Sequence, residues 1–125
     1  CVFYLGVVPF NDLIAIYRAA RFLIIAALYE SNSLPILEAA AAGTAIIASD
    51  TPPNRELSAD LELILFPEKD ATALADIIDS ALKTDIRKTI TGNSATIRQY
   101  SWEIVARKYL ALFKDLKDPE HREST

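Results

Sequence analysis

The chain has 125 residues, 51% of them apolar, and carries 13 basic against 17 acidic side chains for a net charge of −4. That length suits one globular domain able to bury roughly two thirds of its unfolded surface, which excludes a disordered chain. The acidic balance, with no Lys/Arg cluster along one face, argues against nucleic acid and other polyanions as partners. A single cysteine, Cys1, cannot close an internal disulfide, and no pair of Cys/His clusters has metal-ligand spacing. A reducing, metal-free interior is therefore expected. The longest apolar runs, such as Phe22 to Tyr29, fall short of the roughly 18 to 20 residues that span a bilayer, and there is no secretion signal. The chain opens inside the apolar run CVFYLGVV without a methionine, and reads as a piece of a longer polypeptide.

In chain order, Val2 to Leu5 is the first run of strand length. Asn11 or Asp12 is positioned to cap a helix carrying Leu13, Tyr17 and Ala20. Phe22 to Ala27 is the second strand. Ser33 then caps a helix with Pro35 in its first turn, where a missing N–H is harmless, and Gly43 as its left-handed stop. Thr44 to Ala48 is a third strand. Asp50 to Asn54, DTPPN, predicts a turn before a short helix near Arg55 to Ser58. Glu62 to Phe66 is the last strand. Asp70 caps a helix whose Leu74, Ile77, Ile78, Ala81 and Leu82 repeat with helical period. A Thr-rich helix over 85–99 is weakened near Gly92 and Asn93. Ser101 caps a closing helix with the apolar stripe Trp102, Val105, Tyr109, Leu112, Phe113 and Leu116, and the polar residues 118–125 form a loose tail.

Strands apolar on both faces, alternating with helices, imply right-handed crossovers and a covered parallel sheet. The fold class is α/β: a Rossmann-like three-layer parallel sheet with helices on both faces. Ligands of such sheets bind outside the carboxyl ends of the strands, where helix N-termini favour anions. The stretch YESNSLPILEAAAAG, residues 29 to 43, lies there. Backbone amides near Ser33, Leu34 and Ile36 would face a phosphate, with Glu30 and Glu38 beside it. Carboxylates repel phosphate but accept hydrogen bonds from neutral hydroxyls, such as the diols of a ribose or a hexose. A nucleotide sugar meets both demands, although a spacing of eight between two glutamates is by itself weak evidence.

AALYESNSLPILEAAAAGTAII resembles the EX7E signature of GT-B retaining glycosyltransferases, most closely glycosyltransferase family 4, with matches at Glu30, Leu34, Pro35, Leu37, Glu38, Ala39, Ala41 and Gly43. The lead-in LGVVPFNDLIAIYRAARFLI, the following ASDTPPNRELSADLELILFPEKDATALADII and the closing SWEIVARKYLALF extend the likeness from Leu5 to Phe113. The resemblance implies that residues 1–117 are a nucleotide-sugar-binding domain, the donor-binding C-terminal part of such an enzyme, incomplete at its N-terminus. It also implies that Glu38 binds the nucleotide ribose and Glu30 contacts hydroxyls of the donor sugar. Backbone amides at Asn32, Ser33 and Leu34 would hold the phosphate or sugar. The sugar would be transferred with retention from a nucleotide-diphosphate donor to a polysaccharide, glycolipid or glycoconjugate acceptor, with no metal or other cofactor. The acceptor-binding N-terminal domain of the same polypeptide is the implied partner. The implied location is cytoplasmic, including a peripheral position at the inner face of a membrane.

Where the family pattern has Gly-Phe-Gly, this chain has Ser31, Asn32 and Ser33, and glycine loss restricts how closely backbone approaches a phosphate. The family's basic pair for the diphosphate lies on elements outside this sequence. On the family strand order 3-2-1-4-5-6, the strands present are the third to sixth and the two central ones are missing. Val2 to Leu5 is then expected to pair in a rearranged position, or the apolar edge to be covered by self-association with another copy. Arg18, Arg21 and Arg55 are the nearest cations, though each also fits a surface charge or a helix-end partner. Glu56 recurs in the family pattern, with capping or packing as the alternative. Trp102 and Tyr109 are assigned to core packing and His121 to solvent, without a chemical step. The alternatives to a transferase are a non-catalytic Rossmann-like nucleotide-binding or assembly module, or an epimerase-like GT-B enzyme.

Overall fold

Five consecutive small or apolar residues, Ala45–Ser49, form a strand that is buried throughout. A strand covered on both faces needs a neighbour along each edge and a helix layer on each side. In the computed structural model, which describes residues 2–31, 33–84, 86 and 96–117, this strand has all four. The elements run α1 (Phe10–Ala19), β1 (Phe22–Ile25), α2 (Leu34–Ala42), β2 (Ala45–Ser49), α3 (Pro52–Asp60), β3 (Leu63–Phe66), α4 (Ala71–Lys83), a 3₁₀ turn (Ile97–Tyr100) and α5 (Trp102–Lys117). The sheet order is β1-β2-β3, all parallel, with Phe22 opposite Ala45 and Ile46 opposite Leu63. Side-chain alternation sends Ile46 and Ala48 to one face, where Ile36, Ala39 and Ala40 of α2 and Leu57 of α3 cover them. Ile47 and Phe66 meet Ala81 of α4 on the other. The expected α/β architecture, a parallel sheet between helices, is present.

Local signals hold where the residue acts on its own backbone. Gly43 takes the left-handed conformation, at φ 74°, and its N–H and that of Thr44 satisfy carbonyls at the end of α2. The Asp70 side chain accepts from the Ala73 N–H at 2.9 Å, capping α4, and Ser101 does the same for α5 through Ile104 at 3.4 Å. Two signals behave differently. α1 begins after Pro9, with no side-chain cap, and Asp12 lies in the first turn, where its charge suits the helix dipole. The Pro52–Pro53 pair opens α3 instead of forming a turn ahead of it, because the first helical positions require no N–H.

Three expectations are corrected. Val2 to Leu5 is not a strand: it pairs with none of the three strands and is exposed, Val2 at 99%. A strand is stable only through a partner's N–H and C=O groups, and on the 3-2-1-4-5-6 order this segment lies two strands away from β1. The pairing in a rearranged position does not occur. Trp102 and Tyr109 are not in the core but 84% and 59% exposed, with Phe113 and Leu116 alongside. α5 packs mainly on the 3₁₀ turn, so among the described residues only part of its stripe, such as the half-buried Val105, is covered. Most of the expected helix over 85–99, and the tail 118–125 with His121, lie outside the described residues. Its described end, Ile97–Tyr100, is a 3₁₀ turn. Among the described residues, no helix is long and apolar enough to cross a membrane.

Removing one methyl group from the fully buried Ile46 should lower stability by about 0.5–1.5 kcal/mol in Ile46→Val, with an unchanged urea m-value. The same change at Ile24, which is 37% exposed on β1, should cost visibly less.

Candidate functional site

Three polar contacts tie the strand exits together at the carboxyl end of the sheet. The Ser49 hydroxyl, at the end of β2, donates to the Ala27 carbonyl just beyond β1. Asn54 Nδ2, from inside α3, donates to the Ser49 carbonyl at 2.9 Å, and the Asp50 N–H reaches the Phe66 carbonyl at 2.8 Å. Arg55 closes the corner on Asp50 through two hydrogen bonds, Nη2 to Oδ2 at 3.0 Å and Nε to Oδ1. Those bonds hold the Asp50 carboxyl below the usual carboxylate range. The exits leading into α2 and α3 are thus fixed side by side.

At the start of α2 the chain sets up an anion-favouring terminus. Ser33 is the N-cap and is fully buried, and the first turn contains no acidic side chain. Its φ of −88° is open to any L-residue, so serine in place of the family's glycine introduces no backbone strain here. It adds a hydroxyl. Pro35 has no N–H, and the amides of Ile36 and Leu37 both turn to the Ser33 carbonyl, at 3.0 and 3.4 Å. Ile36, expected to face a ligand, is therefore committed to the helix. Among the described residues the amides of Ser33 and Leu34 have no backbone partner, and the helix dipole favours an anion beside them.

Among the described residues, Ser33 Oγ, Glu30 Oε2, Thr51 Oγ1 and Asn54 Oδ1, all on the segments that follow β1 and β2, are buried polar atoms without a partner, as is Gln99 Nε2. An unsatisfied buried group costs about 1–3 kcal/mol, so each of these atoms calls for a water or a ligand as its partner. A cleft of about 940 Å³ opens beside Ser33, large enough for a substrate. Ser33, Leu34 and Glu38 from the start of α2, Glu56 and Asp60 of α3, and Trp102 of α5 are among its lining residues. Glu30 is half-buried in the loop before α2 and is not among the described residues lining the cleft.

Glu38 is exposed on the ridge between this cleft and a smaller groove of about 230 Å³ between α1 and α2. Its Oε2 accepts a hydrogen bond from the Tyr17 hydroxyl at 3.0 Å. Burial, and then Glu38, push the Tyr17 phenol up to about 12. Across the cleft the Tyr100 hydroxyl donates to Asp60 Oδ2 at 2.6 Å. Burial first, then Asp60 and Glu56, push that phenol up to about 12 as well.

The structure therefore brings Ser33, Leu34 and Glu38 to one cleft, and Glu30 is not among the described residues lining it. Asn32 lies outside the described residues. The cations are engaged elsewhere: Arg21 donates to the carbonyls of Ala81, Leu82 and Thr84 at the end of α4, and Arg55 holds Asp50. Arg18 lines the smaller groove. Among the described residues no group of three His, Cys, Asp or Glu is placed to hold a metal ion. Sequence reasoning passed over Tyr17, Ser49 and Asn54. The available signal was a polar residue at a strand end or within an apolar stripe, but their partners are distant in the chain.

Residues 1–98 match the family described as glycosyl transferases group 1. The chain is 32% identical over 112 residues to O-antigen chain mannosyltransferase B of Escherichia coli, an alignment covering 89% of this chain and 29% of that protein. It is also 32% identical over 88 residues to the phosphatidyl-myo-inositol mannosyltransferase of Mycobacterium leprae (strain TN), covering 68% of this chain and 24% of that protein. The enzyme of the same name from Mycobacterium tuberculosis (strain ATCC 25618 / H37Rv) is 32% identical over 92 residues, with the same coverage. The chain spans less than a third of the length of these relatives.

Because the fold holds the phenols of Tyr17 and Tyr100 in the neutral form, their contribution to stability is complete below pH 10 and is lost as pH rises toward 12. Urea midpoints should fall through that window, and the fall should be smaller in a Tyr17→Phe, Tyr100→Phe double variant.

Proposed function

Since this chain belongs to the glycosyl transferases group 1 family, we propose that it forms the donor-binding part of a retaining glycosyltransferase that takes its sugar from a nucleoside-diphosphate sugar. The observation that carries this reading is the start of α2. A helix terminus with no acidic side chain in its first turn lines the cleft, and among the described residues its Ser33 and Leu34 amides and its buried Ser33 hydroxyl have no partner, while the carboxylate of Glu38 lines the same cleft. The diphosphate sits at the amides of Ser33 and Leu34, beside Asn32. Glu38, one turn further on, accepts from the ribose hydroxyls. Glu30 serves the donor sugar: its buried Oε2 lacks a donor among the described residues, and a sugar hydroxyl supplies one. Each hydrogen bond to a charged group contributes about 1.5–3 kcal/mol.

Transfer proceeds through a transition state with positive charge on the sugar ring and negative charge growing on the departing diphosphate. Amides already aimed at that site stabilise the growing charge more than the ground state, without reorganising during the reaction. No metal or other cofactor enters this scheme. Since Arg21 and Arg55 are committed elsewhere, the remaining phosphate charge is met by basic residues on another part of the polypeptide. The acceptor domain also belongs there, so this chain alone is inactive. The EX7E pair of Glu30 and Glu38 defines the donor side only. The relatives' names make mannose the first donor sugar to test, with polysaccharide and inositol-lipid acceptors next, at a cytoplasmic site or on the inner face of a membrane. Self-association through the open β1 edge is how an isolated chain would cover Ile24. The engaged arginines and the Ser31-Asn32-Ser33 turn favour one alternative, a module that binds nucleotide without transferring sugar.

In the full-length polypeptide, Glu38→Ala should weaken nucleoside diphosphate binding by about tenfold or more in calorimetric titration, as expected for one charge-assisted contact. Unchanged affinity would remove Glu38 from the site. Glu30→Ala should instead lower kcat for sugar transfer while leaving the affinity for the nucleoside diphosphate nearly intact.

A further inference from the structure

Glu38 is poorly held by its own helix. It is exposed, and the four residues after it are alanines, which have no polar atom to orient a carboxylate and no bulk to confine it. An acceptor meant for a diol must nevertheless point one way, because two hydroxyls on adjacent carbons have a fixed separation. The side chain that supplies the orientation comes from α1. The Tyr17 hydroxyl donates to Glu38 Oε2 at 3.0 Å across a sequence separation of 21 residues.

Tyr17 is itself anchored at two points. Its ring packs against the buried cluster formed by Ile36, Ala39, Ala40 and β2. Its carbonyl accepts from the hydroxyl of Thr44, which is buried at the entrance to β2. A continuous path thus runs from the most buried strand through Thr44 and Tyr17 to the carboxylate at the cleft rim. We propose that Tyr17 is a positioning residue, holding Glu38 through Oε2 so that Oε1 and the remaining lone pairs meet the ribose hydroxyls of the donor. This rests on the donor-binding reading of Glu38. A carboxylate has about four lone-pair sites and the phenol uses one, so a diol can still be received. The raised pKa of Tyr17 keeps the phenol protonated, and therefore a donor, throughout the physiological range. Nothing in this role requires Tyr17 to touch substrate; it acts through Glu38.

The test uses the full-length polypeptide with UDP, GDP and ADP, carrying forward the tightest binder and its 2′,3′-dideoxy analogue. Tyr17→Phe removes one oxygen and preserves the ring. It should weaken the ribonucleotide by on the order of threefold to tenfold, the range for one neutral hydrogen bond, and leave the dideoxy analogue unaffected. In steady-state transfer the donor KM should rise with kcat nearly unchanged. In a Glu38→Ala background Tyr17→Phe should add no further loss, because the two side chains act as a unit. Equal weakening of both nucleotides assigns Tyr17 to the fold alone and overturns the proposal. If Glu38→Ala weakens the ribonucleotide and Tyr17→Phe does not, positioning is overturned while donor binding stands. If Glu38→Ala has no effect, or no nucleotide binds the wild type, the donor-binding reading falls and this inference with it.

Discussion

Burial of β2 along its whole length is the constraint on which the site depends. A parallel strand with partners on both edges and helices on both faces leaves its neighbours no freedom of register. The exits of β1 and β2 must therefore end side by side, and the helices that follow must start there. The Ser49 hydroxyl on the Ala27 carbonyl and the Asn54 amide on the Ser49 carbonyl secure that arrangement. Short parallel strands deliver helix N-termini to one end of the sheet, and the polar residues at those N-termini become a site because the strands cannot slide.

The chemistry of that end follows from a division between backbone and side chains. Backbone amides at the start of α2 supply a fixed, partial positive charge that needs no counterion and does not move. Carboxylates at Glu30 and Glu38 supply acceptors placed to either side of it along the chain. Two of the arginines nearest the site serve the fold, as the sequence allowed: Arg21 by capping α4 and Arg55 by pairing with Asp50. Arg21 satisfies carbonyls that a helix end would otherwise leave unmet, and a charge held at a helix C-terminus is favoured by the dipole there.

How much of this was legible in the sequence depends on the distance over which each residue acts. Ala45–Ser49, Gly43 and Asp70 were readable because their roles are local: a double-sided apolar run, a left-handed stop, a cap three residues from its N–H. Val2 to Leu5 misled because an apolar run has strand propensity with or without a partner, and the partner decides. Trp102 and Tyr109 misled in the same way, since a regular stripe on α5 states only that something is to be covered. Tyr17, Ser49 and Asn54 were not legible as site residues. Tyr17 and Ser49 have partners more than twenty residues away, and the Asn54 bond depends on the PP pair opening α3 rather than preceding it. Glu30 and Glu38 were legible from their place around a helix start and from resemblance, but not that one oxygen of Glu30 is buried without a donor among the described residues or that one of Glu38 is held by a phenol.

The most direct measurement is an amide-resolved magnetic resonance titration of the full-length polypeptide, comparing a nucleoside diphosphate with the bare nucleoside. If the start of α2 is the phosphate cradle, the Ser33 and Leu34 amides shift with the diphosphate and stay in place with the nucleoside, while the helix-bonded Ile36 amide moves less in both. Diphosphate binding that leaves Ser33 and Leu34 undisturbed would contradict that placement of the anion.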